Sequence, residues 1–347
     1  MTDVAGICPE CAHPVAGEDA FCENCGAQLI ENAVAAPTRA AAEPTVAAGT
    51  EACRECGGIV ADDGFCSVCG KRAPSARDHW QETPAAWVGG VCDRGIVHAH
   101  NEDAMALAAL ADRSLAVLVV CDGVTSAPDS DRAALAAARI ACSTLSGSSL
   151  PMSDGVAATV SHWSTAITRA CLDANAAAVG VARSLGNPRE PPSCTFVAAV
   201  LDGDVVTLGW CGDSRAYWLP DEGVAVQLML DHSLGTEMIQ GGMTQAEAEA
   251  DSTFHTITRW LGADSVDSRP ELASMQLHVA GWLLVCSDGL WNYASPAVAL
   301  QSLVREQMTA GRTAPVEIAD VLVRFANEQG GHDNITAVLA RYEPSLR

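Results

Sequence analysis

The chain is short of positive charge. Its 347 residues carry 20 Lys and Arg against 43 Asp and Glu, a formal net charge of −23. Nucleic acid and anionic lipid are bound chiefly through basic groups, so neither suits this surface as a main partner. Long apolar runs are absent too. The longest, residues 115–121, has the length of a buried strand, far below the roughly 20 residues that span a bilayer. Met1-Thr2-Asp3-Val4 lacks the basic start and apolar core of a secretory leader. These absences lead us to expect a soluble, cytoplasmic protein with no nucleic-acid partner and no membrane insertion. Hydrophobic residues make up 49% of the chain, enough for a sizeable core.

Cysteine is plentiful and unevenly spread. Of 15 Cys, eight precede residue 70 in Cys-x-x-Cys pairs, and the rest are scattered singly. An odd total clustered this way argues against a secreted disulfide framework and for metal-bound thiolates in a reducing compartment. The pairs form an internal repeat. Cys8, Cys11, Cys22 and Cys25 make one unit (residues 6–29), and Cys53, Cys56, Cys66 and Cys69 the other (51–72). Two such knuckles joined by a small hairpin complete a tetrahedral thiolate site. A unit this small has no core of its own, so the metal supplies its folding energy. Both units resemble zinc ribbons, each with one structural zinc; redox pairs and rubredoxin-like iron are the alternatives. Residues 1–75 hold more acidic than basic side chains, which favours a protein partner over nucleic acid. Residues 30–50, rich in Ala, Pro and Thr, read as a flexible linker, and 73–84 as a shorter connector.

From about residue 85 the pattern is globular. Apolar runs at 88–92, 115–121, 195–201, 205–211, 216–219, 224–230, 272–279, 282–286 and 335–342 read as strands. Short turns between them imply antiparallel pairing. Ala-rich stretches at 128–147 and 155–182 read as long helices, with shorter ones at 233–241, 244–250, 296–309 and 314–329. Helix pairs between strand hairpins suggest an α+β fold of stacked sheets with helices outside.

Four acidic spots stand out: Asn101-Glu102-Asp103, Cys121-Asp122-Gly123, Ser287-Asp288-Gly289 and Gly331-His332-Asp333-Asn334. Asp122, Asp288 and Asp333 each follow an apolar run or a tight turn, where rigid backbone aims a carboxylate. Gathered carboxylates suit hard cations such as Mn2+ or Mg2+. Two ions about 3.5–4 Å apart can activate water and clamp a phosphoryl group.

In order, Asp93-Arg94-Gly95 with Asn101-Glu102-Asp103, Cys121-Asp122-Gly123, Ser193-Cys194-Thr195, Gly212-Asp213-Ser214-Arg215-Ala216-Tyr217, Asp231-His232-Ser233, Ser287-Asp288-Gly289 and His332-Asp333-Asn334 resemble the motifs of the metal-dependent serine/threonine phosphatases, the PPM or protein phosphatase 2C family, over residues 85–343. The resemblance implies a four-layer α/β/β/α sandwich of two antiparallel sheets flanked by helix pairs, with two metal ions at one end. It implies that Asp122 bridges both ions. The Gly123 carbonyl binds one, and Asp288 and Asp333 bind the other. Glu102 and Asp103 hold metal-bound waters, Asp213 serves a third, weaker position, and Asn334 orients the Asp333 loop. Activity would then be hydrolysis of phosphoserine and phosphothreonine in phosphoprotein substrates through a metal-bridging water, in a bacterial signalling setting.

Two departures bear on the phosphate. Where the family often carries Arg five residues before the Asp of its first motif, this chain has His98. An imidazole offers one donor in place of a bidentate guanidinium. After Asp122-Gly123 comes Val124, where neither a Gly pair nor a His follows. These changes motivate a rival expectation, a catalytically weak scaffold recruited through its ribbons. Asp231-His232-Ser233 mimics a triad, but neighbours on one strand end cannot converge, so helix capping by Asp231 or Ser233 is expected.

Overall fold

The computed structural model describes residues 4–7, 14–16, 56–61, 64–110, 114–124, 127–148 and 155–344. In the first ribbon, β1 (Val4–Ile7) pairs antiparallel with β2 (Pro14–Ala16). Its four Cys, together with Cys53 and the linker 30–50, lie outside the described residues.

A six-stranded antiparallel sheet contains β3 (His79–Ala85), β4 (Val88–Asp93), β10 (Arg215–Pro220), β11 (Val226–Gln227), β14 (Gly281–Cys286) and β15 (Ile335–Tyr342), in the order β11-β10-β14-β15-β4-β3. Facing it is a five-stranded antiparallel sheet, β13-β9-β8-β6-β5. Its members are β5 (Ala104–Leu110), β6 (Leu115–Cys121), β8 (Phe196–Asp202), β9 (Val205–Cys211) and β13 (Glu271–Gln276). Short strands β7 (Ser193–Cys194) and β12 (Leu261–Gly262) pair beside it.

Period-two alternation assigns each strand residue to one of three apolar layers. In β6, Leu115, Val117, Val119 and Cys121 face helices α1 (Ser130–Ser146) and α2 (Val156–Ser184), whereas Ala116, Leu118 and Val120 face the opposite sheet. In β15, Ile335, Ala337 and Leu339 face the other helical layer and Val338 and Ala340 the sheet between. That layer consists of α5 (Asp288–Trp291), α6 (Ala297–Thr309) and α7 (Pro315–Glu328). The result is the expected α/β/β/α sandwich. Burying each large aliphatic side chain contributes about 1.5–3 kcal/mol. Close approach of layers depends on small residues. A Cβ on Gly209 would lie 2.5 Å from Ile167 of α2. The buried face of α1 is a stripe of Ala133, Ala134, Ala137, Ala138 and Ala141.

The sequence reading of the connector and of three strand segments needs correction. Residues 73–84 are not a plain connector. Ser75 caps a short 3-10 turn, Ala76–Asp78, and β3 joins the sheet by pairing with β4. As an edge strand with one face to solvent, its polar, Pro84-bearing sequence carries no apolar signature. Strand β5, Ala-Met-Ala-Leu-Ala-Ala-Leu, is built from good helix formers and reads poorly as a strand. Its burial between two apolar layers overrides that propensity. Conversely, the run 224–230 yields only the two-residue β11, with Val224 and Leu230 exposed.

Two further helices, α3 (Leu234–Gln240) and α4 (Gln245–Glu249), sit in the long insertion after β11. Ser233 caps the first through Oγ to Thr236 N, at 3.2 Å, and Thr244 caps the second in a capping box.

Candidate functional site

The four acidic spots meet at one end of the sandwich, contributed by both sheets. Asp122 follows β6 directly, and Glu102 and Asp103 precede its neighbour β5. From the facing sheet, Asp288 opens α5 at the end of β14, and Asp333 precedes β15. Their convergence is chemical as well as topological. Burial pushes the Asp122 carboxyl well above the usual carboxylate range, and the charges of Asp103, Asp288, Asp333 and Asp213 push it further. Asp288 is raised to about 6, by burial first and then by Asp333, while a hydrogen bond with Asp122 opposes the shift.

Asp103 is fully buried. Its Oδ2 accepts from Ser287 Oγ and Thr336 Oγ1, both at 2.7 Å, joining the two sheets. Burial outweighs these bonds, and together with Asp333 and Asp288 raises the carboxyl to about 7. Asp213 is buried as well and raised well above the carboxylate range, by burial and then by Asp288.

Local backbone geometry fixes each donor. Asp122 N donates to Thr195 Oγ1 at 3.0 Å, and Thr195 N returns a bond to the Asp122 carbonyl at 2.8 Å. Thr195 Oγ1 lies 2.7 Å from Ser214 Oγ, tying the Asp122 loop to the Asp213 loop. Gly123 bridges to Cys194, and its N–H donates to the Glu102 carbonyl at 3.2 Å. A Cβ there would stand 2.8 Å from that carbonyl oxygen. Asn334 holds the first acidic loop and its approach through its side chain, where the resemblance had it orient the Asp333 loop. Its Oδ1 accepts from Glu102 N at 2.7 Å, and its Nδ2 donates to the Arg94 and His100 carbonyls at 2.8 and 3.0 Å. Its own N–H donates to Asp333 Oδ1 at 2.7 Å.

His98 reaches the rim. Its Nε2 is 3.4 Å from Asp333 Oδ1, with the imidazole about a quarter exposed. Val124 is half-buried beside the site and Ile96 and Val97 are exposed. Asp231, His232 and Ser233 do three separate jobs. Asp231 forms a buried bidentate pair with Arg215, at 2.9 Å to Nε and 2.6 Å to Nη2. His232 Nδ1 accepts from Gly212 N at 3.1 Å, and Ser233 caps α3. The Arg215 guanidinium stacks 3.5 Å above Trp291, whose indole N–H donates to the Asp213 carbonyl. A cavity of about 260 Å³ opens here, bounded by Asp213, Trp291 and, from the insertion, Ile239, Phe254 and His255.

Sequence reasoning missed Thr195, Ser214, Ser287 and Thr336 as the hydroxyls that lock the acidic loops. For Ser214, Ser287 and Thr336 the signal was a Ser or Thr beside or close to a motif Asp, whereas Thr195 had no such signal. Cys121, Cys211 and Cys286 are fully buried small apolar groups.

Among the described residues, the buried oxygens Asp288 Oδ1 and Asp103 Oδ1 have no hydrogen-bond partner. Buried carboxylates crowded without a counter-charge fit divalent cations, which reverse the repulsion that raises these groups. Among the described residues, three or more ligand atoms gather within 4.8 Å only at Cys56, Cys66 and Cys69. The described carboxylates do not gather that tightly.

In the second ribbon the Cys56 and Cys66 sulfurs are 3.4 Å apart. Gly57 and Gly70, directly after the knuckles, take left-handed φ of +73° and +70°. Backbone N–H groups of Cys69 and Val68 lower the Cys66 thiol to about 6, the thiolate state that a metal needs. The spacing from Cys66 to Arg72 matches the Cys-x5-Arg of a thiolate phosphate loop, but Cys66 belongs to the ribbon trio and Arg72 pairs with Asp78.

A double-sheet sandwich whose mouth is lined by carboxylates from both sheets is the architecture of a metal-dependent phosphatase. The family profile described as "Protein phosphatase 2C" matches residues 96–340, and "Double zinc ribbon" matches 8–73. The chain belongs to the protein phosphatase 2C family, carrying a double zinc ribbon ahead of the sandwich. It is 33% identical over 148 residues to the "Serine/threonine phosphatase stp" of Listeria innocua, covering 42% of this chain and 55% of that protein. The chain thus spans about half the length of the curated relatives it matches. The crystal structure of the Mycobacterium tuberculosis serine/threonine phosphatase PstP/Ppp is similar at 25% identity and a TM-score of 0.58, covering 76% of this chain and 99% of that one. The PstP catalytic domain in complex with two manganese ions gives 24% identity and a TM-score of 0.53, over 76% of this chain and 97% of that one.

Proposed function

We propose that this chain is a metal-dependent protein phosphatase hydrolysing phosphoserine and phosphothreonine in a reducing cytoplasm, with zinc-loaded ribbons that dock a protein partner. The observation that carries the reading is the meeting of Asp122, Asp288 and Asp333 from two facing sheets beside the orphaned Asp288 Oδ1 and Asp103 Oδ1. Family membership and the names of the relatives support it. Among the described residues no helix is long and apolar enough to cross a membrane.

Asp122 and the Gly123 carbonyl would hold one ion, Asp288 and Asp333 a second shared with Asp122, and Asp213 a third, weaker one. Glu102 and Asp103 would orient water around them. Manganese and magnesium both suit such oxygen donors. When bound, a pair of divalent cations acidifies water and neutralises charge on a phosphoryl group. The protein's own share is positioning. Strand ends and the Thr195, Ser287, Thr336 and Asn334 bonds hold the carboxylates in place before substrate arrives. At the rim, the His98 Nε2–H offers one donor to a phosphate oxygen. Met238, Ile239 and Phe254 of the insertion offer apolar contact to a protein substrate. In the ribbons, Cys8, Cys11, Cys22 and Cys25 would bind one zinc and Cys53, Cys56, Cys66 and Cys69 another.

The test is phosphate release from a phosphothreonine peptide by the full chain with Mn2+ and with chelator, beside Asp122→Asn and Asp288→Asn. Turnover should need metal and vanish in both variants, and His98→Arg should lower KM. Activity surviving either Asn substitution would sink the reading. Peptide binding without phosphate release would favour the scaffold alternative.

A further inference from the structure

We propose that Arg77 is a positioning residue for the first acidic loop, and that the strap carrying it, residues 72–78, links the second ribbon to the metal centre. The proposal rests on the phosphatase reading only for the identity of that centre. Residues 101–103, which present Glu102 and Asp103, have no regular secondary structure. The Arg77 guanidinium crosses this loop. Its Nη2 donates to the Asp103 carbonyl at 2.8 Å and the Asn101 carbonyl at 3.3 Å, the two carbonyls on either side of Glu102. Asn101 Nδ2 returns a bond to the Arg77 carbonyl at 2.9 Å, and Asn101 Oδ1 accepts from Asp103 N at 3.1 Å. The guanidinium is braced 5.2 Å from the Trp80 ring. One side chain thus sets the curvature that turns Glu102 and Asp103 toward the site.

The strap begins inside the ribbon. Cys66 N donates to the Lys71 carbonyl at 2.8 Å, Phe65 and Arg72 form a β-bridge, and Ala73 N donates to the Gly64 carbonyl at 2.7 Å. The Arg72 side chain then pairs with Asp78 Oδ1, while Asp78 Oδ2 accepts from Ser75 N at 2.8 Å. Arg94 N donates to the Asp78 carbonyl at 2.8 Å, and the Arg94 side chain reaches the His98 carbonyl. A continuous polar path therefore runs from the thiolate knuckle at Cys66 to both the Glu102 loop and the His98 rim. A ribbon tethered by a free linker would not make the Arg72–Asp78 pair. Residues that orient the water and ligand shell of a metal typically change affinity by about 10–100-fold when lost.

The experiment uses the full chain and four variants: Arg77→Ala, Arg77→Lys, Arg72→Ala and the remote control Arg341→Ala. The control breaks a pair with Asp221 at the end of β15 away from Asp333. Mn2+ affinity is read by calorimetry, and exchange of the 101–104 amides by hydrogen exchange in metal-free protein. Arg77→Ala should weaken Mn2+ binding about tenfold or more and speed exchange at 101–104. Arg77→Lys should recover part of both. Arg341→Ala should lower thermal stability and leave both unchanged. Wild-type Mn2+ affinity and exchange in Arg77→Ala, or equal losses in Arg77→Ala and Arg341→Ala, would overturn the positioning role. Faster exchange at 101–104 in Arg72→Ala supports the link to the ribbon, and unchanged exchange removes it. Neither readout uses turnover. A chain that binds Mn2+ without releasing phosphate would therefore refute the phosphatase reading and leave this one standing.

Discussion

Gly95→Ala tests how tightly the first and last acidic loops are held together. Gly95 has φ of +74°, and a Cβ on it would lie 2.1 Å from the Asp333 carbonyl oxygen and 3.0 Å from that of Gly331. Ordinary contact begins at 3.4 Å, so one loop must retreat by about 1.3 Å. The obstacle is backbone and cannot swing away as a side-chain tip would. It also belongs to the residue whose carboxylate faces the site, so the retreat moves that carboxylate. A displacement of about 1 Å costs roughly 100-fold in rate, equivalent to about 2.7 kcal/mol of barrier. The left-handed φ costs stability by about 1–2 kcal/mol, which a sandwich of this size tolerates. Gly203→Ala is the control. Its φ is +60° but, among the described residues, nothing lies within 4 Å of the added Cβ, so it bears mainly the backbone cost. We expect kcat on a phosphothreonine peptide with Mn2+ to fall about 100-fold in Gly95→Ala, with thermal melting lowered in both variants and further in Gly95→Ala. Activity of Gly95→Ala within about threefold of Gly203→Ala would refute the reasoning, because it would mean that the Asp333 loop moves freely.

Metal-free protein should lose stability as pH rises from about 4 through about 7. Asp103 is raised to about 7, so the folded state holds a proton that the unfolded chain has released, and this contribution is complete only below the unfolded value. Denaturant midpoints with chelator at pH 5 and 8 should show the drop, and Asp103→Asn should shrink it. Asp231→Ala should destabilise by about 3–5 kcal/mol by urea titration, since it strands the Arg215 guanidinium in a buried site. Cys66→Ser should reduce bound zinc from about two equivalents to about one by elemental analysis, leaving melting of the sandwich nearly unchanged.

Much of the sandwich was legible because strand residues alternate between distinct apolar layers. Runs such as 115–121 and 335–342 match β6 and β15 at both ends. The site was legible for a related reason. Asp122 and Asp288 follow runs too apolar to be anything but buried strands, so their carboxylates had to emerge at strand ends. What stayed hidden has physical causes. Strand β3 lies at an edge, where polar residues are wanted, and β5 is composed of residues that prefer helices. Arg77 and Thr195 act across the fold through backbone groups, and no local pattern betrays a partner so far along the chain. The dual hold of Arg215 on Asp231 and Trp291 likewise needed the fold.

The division of the acidic residues between facing sheets has a mechanical consequence. Asp122 rides on β6 and Asp288 and Asp333 on β14 and β15, while Ser287 and Thr336 grip Asp103 from across the gap. Any slip of one sheet over the other changes carboxylate spacing and strains the bonds that hold Asp103. The cleft is thus a gauge of how well the inner apolar layer is packed. Substitutions at Leu118, Val120, Leu283 or Val285, buried in that layer, would be felt as a change in the spacing of acidic groups that are all still present.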